Sequence, residues 1–300
     1  MIVQRGVGTS LLMALTGFTI MSVGDAIVKS MAGDWPAPAV SALRYTFGAI
    51  GLGVAVAVVH GRAGFFVPRP WLQVGRAAAV SLATICFFLG VMAMPLADAT
   101  ATQFTSPIMT ALLSGIVLRE RVPAAAAGAT LIAFAGVLVV LRPNVLELGA
   151  SAFYPLGAAF GMSWLIMFNR KSAGDAPVLV MQFVLAIFAA PFLVVAATFL
   201  SDVGGPGFKV PVPSLVVVLK CAAVACLASI GHLLLYAATV RASAAVIAPT
   251  TYVQIMMASV LGWLWFGDAP DVATLTGAIL IILGGLWLWR SQAGPKGTKP

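Results

Sequence analysis

Ten apolar runs stand out along the chain, at 8–29, 37–59, 73–93, 98–118, 123–141, 151–169, 177–200, 214–238, 243–266 and 271–290. Each is close to the length of about 20 residues that a helix needs to cross a bilayer. The separators are the short polar clusters that turns favour: Gly33, Asp34, Trp35 and Pro36; Pro68, Arg69 and Pro70; Arg119, Glu120 and Arg121; Arg142, Pro143 and Asn144; Gly174 and Asp175; Gly204, Gly205, Pro206 and Gly207. Connections this short make neighbouring helices antiparallel and leave no room for a separate soluble domain. The pattern predicts an all-α integral membrane protein with ten transmembrane helices. The first run carries Asp25 and Lys29 near its end and no A-x-A cleavage site, so it reads as a span rather than a signal peptide.

Composition moves the argument from pattern to solvent. Hydrophobic residues make up 61% of the 300 residues, charged residues 9%, and the mean hydropathy is +1.05. Soluble domains run at about 45–50% apolar and about 25% charged, so lipid is the solvent here. The net charge of +8 is spread as ones and twos with no basic stripe, which excludes a nucleic-acid partner and leaves membrane orientation as its meaning. With both termini in the cytoplasm, twelve of the seventeen basic residues fall on the cytoplasmic side: Arg5, Arg62, Arg69, Arg76, Arg119, Arg121, Arg170, Lys171, Arg241, Arg290, Lys296 and Lys299. That bias is the positive-inside signature of a bacterial inner-membrane protein. Lys29, Arg142 and Lys209 fall outside, together with Asp34, Asp98, Glu147, Asp202, Asp268 and Asp271. Cys86, Cys221 and Cys226 sit in apolar runs without metal-ligand spacing and read as small buried hydrophobes.

Two stretches resemble each other. One runs from Pro95 to Pro143 through SPIMTALLSGIVLRE, Gly128 and Gly136; the other runs from Ala237 to Arg290 through VQIMMASVLGWLWFGD, Gly277 and Gly285. The units, 1–145 and 146–290, hold five spans each, with 291–300 as a cytoplasmic tail. Five is odd, so the second unit is inverted relative to the first. Inverted repeats mark alternating-access transporters with a site near the midplane.

On these residues the chain resembles the ten-helix EamA-type members of the drug/metabolite transporter superfamily. The resemblance rests on Arg44 and Tyr45 in the second span, on Pro107 and Glu120 followed by Gly128 and Gly136, and on the second copy ending in Asp268, Gly277 and Gly285. The second copy departs from the pattern, with Ile255 where proline is common and Asp268 where glutamate is common. The resemblance implies import or export of small organic solutes through a central cavity often lined by spans one, three, four, six, eight and nine. The short stretch Thr251, Tyr252, Val253 and Gln254 is similar to members linked to uptake of S-adenosylmethionine or riboflavin.

Ionisable residues inside a bilayer cost about 2.5–3.5 kcal/mol at a helix centre, so each needs a reason. Asp25 and Arg44 lie at similar depth on adjacent spans, where an ion pair is easy. The pair either fixes helix packing or forms an outer gate with Asp25 as a proton-linked carboxylate. Lys29, four residues on, either shares that carboxylate or marks the interface. His232 lies four residues before Tyr236 on one helix face and is either bonded to a neighbouring carbonyl or a substrate ligand and proton acceptor. Gln103, Thr105 and Ser106 precede Pro107, and Pro249, Thr250, Thr251, Tyr252 and Gln254 occupy the matching place in span nine. Proline frees a carbonyl that only protein or cavity water can satisfy, so these breaks predict a transport site. Trp164 offers a flat wall to a substrate, or packs. Trp263, Trp265, Trp287 and Trp289 read as interface anchors, and Lys220 as a snorkelling side chain. Glu120 and Asp268 are expected to receive backbone donors of the next helix, or else to act in a gate. Gly48, Gly51 and Gly53, and Gly284 with Gly285, are expected as close-packing surfaces.

The expected partners are thus a small-molecule substrate and the lipid bilayer, with the protein a monomer or homodimer, and no cofactor or metal is implied. No Walker loop, GxSxG elbow, HExxH or DxD cluster is present, which excludes an ATP-driven pump within this chain. The competing readings are a membrane enzyme using His232 and Asp25 as acid and base, and a lipid or drug flippase.

Overall fold

The structure, a computed structural model, describes residues 2–117, 124–241 and 248–292. Glu120 and residues 293–300 lie outside the described residues. The described residues form eleven α-helices and no strand: α1 Ile2–Lys29, α2 Ala37–His60, α3 Pro70–Ala93, α4 Leu96–Gln103, α5 Ser106–Val117, α6 Ala124–Leu148, α7 Tyr154–Lys171, α8 Val178–Val203, α9 Leu215–Arg241, α10 Val253–Phe266 and α11 Val272–Gln292. Among the described residues, six segments are long and apolar enough to cross a membrane: Gly8–Lys29, Ala37–Phe65, Pro70–Ala93, Val145–Lys171, Val178–Val203 and Leu215–Leu235. Leu131–Leu141 and Val272–Trp287 are shorter apolar helices. The chain is a multi-pass, all-helical membrane protein. Its outer faces are as apolar as its interior, with Ile50, Val54, Val195 and Leu131 exposed by 60%, 62%, 65% and 70%. Helices apolar on every side need lipid around them.

Proline sets the starts of α2, α3 and α7, where its missing N–H and fixed φ cost nothing. Inside the helices, hydroxyls are satisfied locally: Ser22, Ser41, Thr46 and Ser229 each donate to the carbonyl four residues back. One expected turn is displaced. The run ending at Arg142, Pro143 and Asn144 continues as helix to Leu148, and the chain turns at Gly149, whose φ of 59° suits glycine alone.

The fourth run is interrupted. Helix α4 ends at Gln103, Phe104 and Thr105 turn, and α5 begins at Ser106. Pro107 has no N–H to offer the Gln103 carbonyl, which is the local cause. A 3-10 turn, Ala248–Tyr252, stands at the matching place before α10.

Helices pack chiefly across the chain's two halves: α1 along α9, α2 along α8, α3 along α7 and α6 along α11. Lesser contacts come in matched sets, α1 with α10 beside α7 with α5, and α2 with α9 beside α3 with α8. Small residues allow the closest approaches. A Cβ on Gly17 would lie 3.0 Å from the Gly231 carbonyl oxygen, and one on Gly161 2.7 Å from the Ala83 nitrogen. On α6 and α11, Gly136 and Gly277 meet face to face, a Cβ on Gly136 lying 2.7 Å from the Gly277 oxygen. The expected glycine surface in α2 is narrower than the sequence suggests. Gly48 and Gly51 have nothing within 4 Å of an added Cβ, and only Gly53 approaches a neighbour, Phe183. Of the cysteines, Cys221 is buried and Cys86 half-buried, but Cys226 is exposed.

Candidate functional site

Between the halves lies a cavity of about 530 Å³. Every described α-helix except α6 and α11 contributes to its wall, because those two pack on one another to the side. Spans two and seven, carried by α2 and α8, join the six that the family resemblance implied. A second hollow, of about 580 Å³, lies between α2 and α8, with Asp202 as its charged residue. It draws on too few elements to be the shared site of both halves.

The cavity wall follows helical periodicity. On α3 the lining residues are Arg76, Val80, Ala83, Thr84, Phe87 and Phe88, spaced so that they share one face. Helix α9 contributes Ser229 and His232, α8 Gln182, α7 Asn169, and α1 Phe18 and Asp25. Arg44 and Tyr45 enter from α2, with the Tyr45 hydroxyl 3.3 Å from Thr84 Oγ1. Gln103, Phe104, Ser106 and Pro107 come from the interruption between α4 and α5; Thr251 and Gln254 come from the second interruption. Both breaks therefore reach the same cavity.

Of the expected site residues, the structure brings together Asp25, Arg44, Gln103, His232 and Gln254 on this wall. Three do not line it. The Thr105 hydroxyl donates to the Thr102 carbonyl at 2.8 Å. Trp164 stacks between Phe160 and Phe168. Tyr252 packs on Phe104, with its hydroxyl against Gly285 of α11. Tyr236 lies outside the residues whose side chains the structure describes.

The expected ion pair of Asp25 with Arg44 is not formed. Among the described residues neither side chain has an ion pair or a hydrogen bond. The Arg44 guanidinium lies instead 4.8 Å from the Tyr45 ring centre and 5.6 Å from that of Phe88. Both rings lie within cation–π reach of the guanidinium.

Lys29 and Asp268 also depart from expectation. They bond to each other at 2.9 Å, and Lys29 Nζ donates to the Met94 carbonyl at 2.6 Å with the Phe266 ring 5.3 Å away. The cap of α11 is Asp271, whose Oδ1 accepts from the Thr274 N–H at 2.6 Å. The end of α1, the end of α3 and the end of α10 are thereby tied together. Nearby, Lys220 donates to the Ser30 carbonyl at 3.0 Å rather than snorkelling free.

A second tie stands where α3 begins and α7 ends. Arg69 Nε donates to Asp175 Oδ2 at 2.8 Å, its Nη2 bonds the other carboxylate oxygen, and Nη2 also reaches the Lys171 carbonyl. The bond to Asp175 pushes the Arg69 guanidinium further up, so it stays charged at any physiological pH. About two turns inward, Arg76 departs from the sequence expectation. Arg76 was counted with the cytoplasmic surface cations, yet it is 4% exposed. Its Nε donates to Asn169 Oδ1 at 2.8 Å and its Nη1 to Gln73 Oε1 at 2.6 Å. Its four-residue spacing from Val80 and Thr84 was the available signal.

Asp98, expected among the outer polar residues, is also buried, and accepts from the Thr274 hydroxyl at 2.6 Å. Among the described residues no group of His, Cys, Asp or Glu could hold a metal.

The sequence of the EamA-like transporter family matches residues 8–142 and again 149–290. The chain belongs to that family. It is a transporter of the drug/metabolite superfamily and not an enzyme. This transporter is 28% identical over 291 residues to the pseudopaline exporter CntI of Pseudomonas aeruginosa (strain UCBPP-PA14), covering 95% of this chain and 96% of that one. It is 24% identical to the S-adenosylmethionine uptake transporter of Rickettsia prowazekii, over 95% and 94% of the two chains. With the riboflavin transporter of Rhizobium johnstonii it shares 28% identity, over 74% of this chain and 71% of the other. A protein solved by crystallography has the same fold, with a TM-score of 0.62 and 19% identity over 96% of this chain and 99% of its own.

Proposed function

We propose that this transporter carries a small organic metabolite through the central cavity by alternating access, rocking two inverted five-helix units, 1–145 and 146–290, against each other. The observation that carries this reading is a cavity walled by both halves, into which both helix interruptions project. Matched sets of cross-half helix contacts and two family-matched stretches of similar length support the inverted arrangement. Its size falls within the range of about 300–1,000 Å³ of small-molecule sites. The named relatives carry pseudopaline, S-adenosylmethionine and riboflavin. A cargo of that scale, polar at one end and flat or apolar at the other, suits walls that combine Phe18, Phe87 and Phe104 with Gln103 and Gln254.

The distribution of basic residues, twelve on one side to three on the other and eleven to three without the buried Arg76, supports placement in the bacterial inner membrane with both termini cytoplasmic. Coupling to protons runs through Asp25 or His232, the protonatable carboxylate and imidazole on the wall.

The test is reconstitution of the full chain into liposomes holding a mixture of amino acids, nucleosides, S-adenosylmethionine and riboflavin, with efflux and uptake read by mass spectrometry. Flux of at least one solute above protein-free liposomes supports the reading. No flux of any in either direction sinks it. A flux indifferent to a pH gradient, and unchanged in Asp25→Asn and His232→Gln, removes the proton from the mechanism.

A further inference from the structure

Beside Arg76, whose guanidinium is hydrogen-bonded by neutral amides, the cavity carries on its wall one cation and one anion that make no ion pair and no hydrogen bond. Arg44 and Asp25 both line it, and among the described residues neither has an ion pair or hydrogen bond. The other arginine on the wall, Arg76, is already engaged by Asn169 and Gln73. Charges within a membrane span are retained only with a reason, and direct pairing is the cheapest one. Here pairing is forgone, and the Tyr45 and Phe88 rings lie within cation–π reach of the Arg44 guanidinium.

We infer that Arg44 and Asp25 are the two poles of a zwitterion site, Arg44 taking the carboxylate and Asp25 the ammonium of an α-amino-acid-type solute. The inference rests on the transporter reading and narrows its cargo. A solute with one charge satisfies one pole and leaves the other unmatched in a site of low dielectric. A zwitterion satisfies both and adds no net charge to the cavity. Guanidinium binds carboxylate through two parallel N–H bonds, a geometry that ammonium cannot copy. The rings of Phe18, Phe87 and Phe104 then face the body of the solute, and Gln103 and Gln254 offer it neutral hydrogen bonds.

The experiment compares matched solutes in liposomes containing the full chain. Phenylalanine, methionine and tryptophan are each tested beside their decarboxylated amine and their desamino acid, with riboflavin as an uncharged body. The expected result is uptake of at least one parent zwitterion about tenfold or more above both of its singly charged derivatives, the effect of about one unmatched charge-assisted bond. Arg44→Gln then weakens the parent and shifts preference towards the amine. Asp25→Asn shifts it towards the acid, and Arg44→Lys retains part of the parent's uptake. Loss of folding alone lowers all solutes together, and size-exclusion profiles of each variant identify that case; for a variant that fails to fold, an unchanged preference in the other charge-removing variant overturns the inference. Carriage of riboflavin or of a singly charged derivative as well as its parent overturns the zwitterion site and leaves the transporter standing. So does a preference unchanged in Arg44→Gln and Asp25→Asn. No flux of any solute, riboflavin included, removes the transporter reading itself.

Discussion

Lys29 Nζ and Asp268 Oδ2 lie 2.9 Å apart, joining the end of the first helix to the end of the tenth. Their side chains are 13% and 28% exposed, and Lys29 also holds the Met94 carbonyl, so the contact is stronger than a free surface pair. Lys29→Met is expected to cost roughly 1–3 kcal/mol, because it also removes the charge-assisted hydrogen bond to the Met94 carbonyl, and Asp268→Asn about 0–1 kcal/mol, for the ion pair alone. A double-mutant cycle on thermal unfolding in detergent checks this, because the double variant should lose less than the sum. The same variants should expose Ser229→Cys to a membrane-impermeant thiol reagent added on the side of the membrane where Lys29 and Asp268 lie, in a background with Cys86, Cys221 and Cys226 changed to alanine.

Arg69 and Asp175 behave differently. The Arg69 side chain is 55% exposed, and exposed pairs contribute about 0–1 kcal/mol. Arg69→Ala should leave the unfolding temperature nearly unchanged while raising thiol labelling from the side of the membrane on which Arg69 lies. The reversal Arg69→Asp with Asp175→Arg should restore the wild-type labelling pattern. Equal labelling of wild type and Arg69→Ala would show that the pair closes nothing.

Arg76 is the residue whose loss should reach furthest within the fold. Arg76→Met leaves the amides of Asn169 and Gln73 without their partner, an expected loss of about 1–3 kcal/mol. Asn169→Ala instead strips a buried guanidinium of one acceptor and should destabilise comparably. Both are read by thermal unfolding. Arg62→Met, in an exposed position, serves as the control and should be silent.

Glycines on one sequence pattern should separate into two classes. At Gly277 a Cβ would lie 2.6 Å from the Gly136 oxygen, so Gly277→Ala must push α6 and α11 apart at about 1–3 kcal/mol. At Gly51 nothing stands within 4 Å, and Gly51→Ala should be neutral or stabilise by about 0.4–1 kcal/mol through the unfolded chain. Thermal unfolding of the two variants side by side is the check.

Residues legible in the sequence were those whose constraint is local. Lipid imposes a length on every apolar run, so the helices could be read one by one. Pro107 has no N–H, so the break at Phe104 and Thr105 could be read too. The end of α6 was hidden because Pro143 looks like a terminator, while Gly149 carries the positive φ that makes the turn. The assignment of side chains to the cavity failed where residue type was used without helical phase. On α7 the wall is Met162, Leu165, Ile166 and Asn169. Trp164 follows Met162 by two residues, roughly 200° around the helix, and so faces elsewhere. Lys29 with Asp268, and Asp98 with Thr274, were beyond reach because their partners lie across the bundle, far along the chain.

The cross-half packing also governs how the protein is made. Helices α1 and α3 find their main partners in α9 and α7, which the ribosome delivers later. At about 5–20 residues per second, the interval between Lys29 and Leu215 lasts on the order of 10–40 s. Through that interval the face around Gly17 rests against lipid tails instead of helix. Assembly is therefore a late, collective event. Translation halted before α9 leaves α1 with its glycine face open in the bilayer, the kind of half-built product that membrane quality control removes.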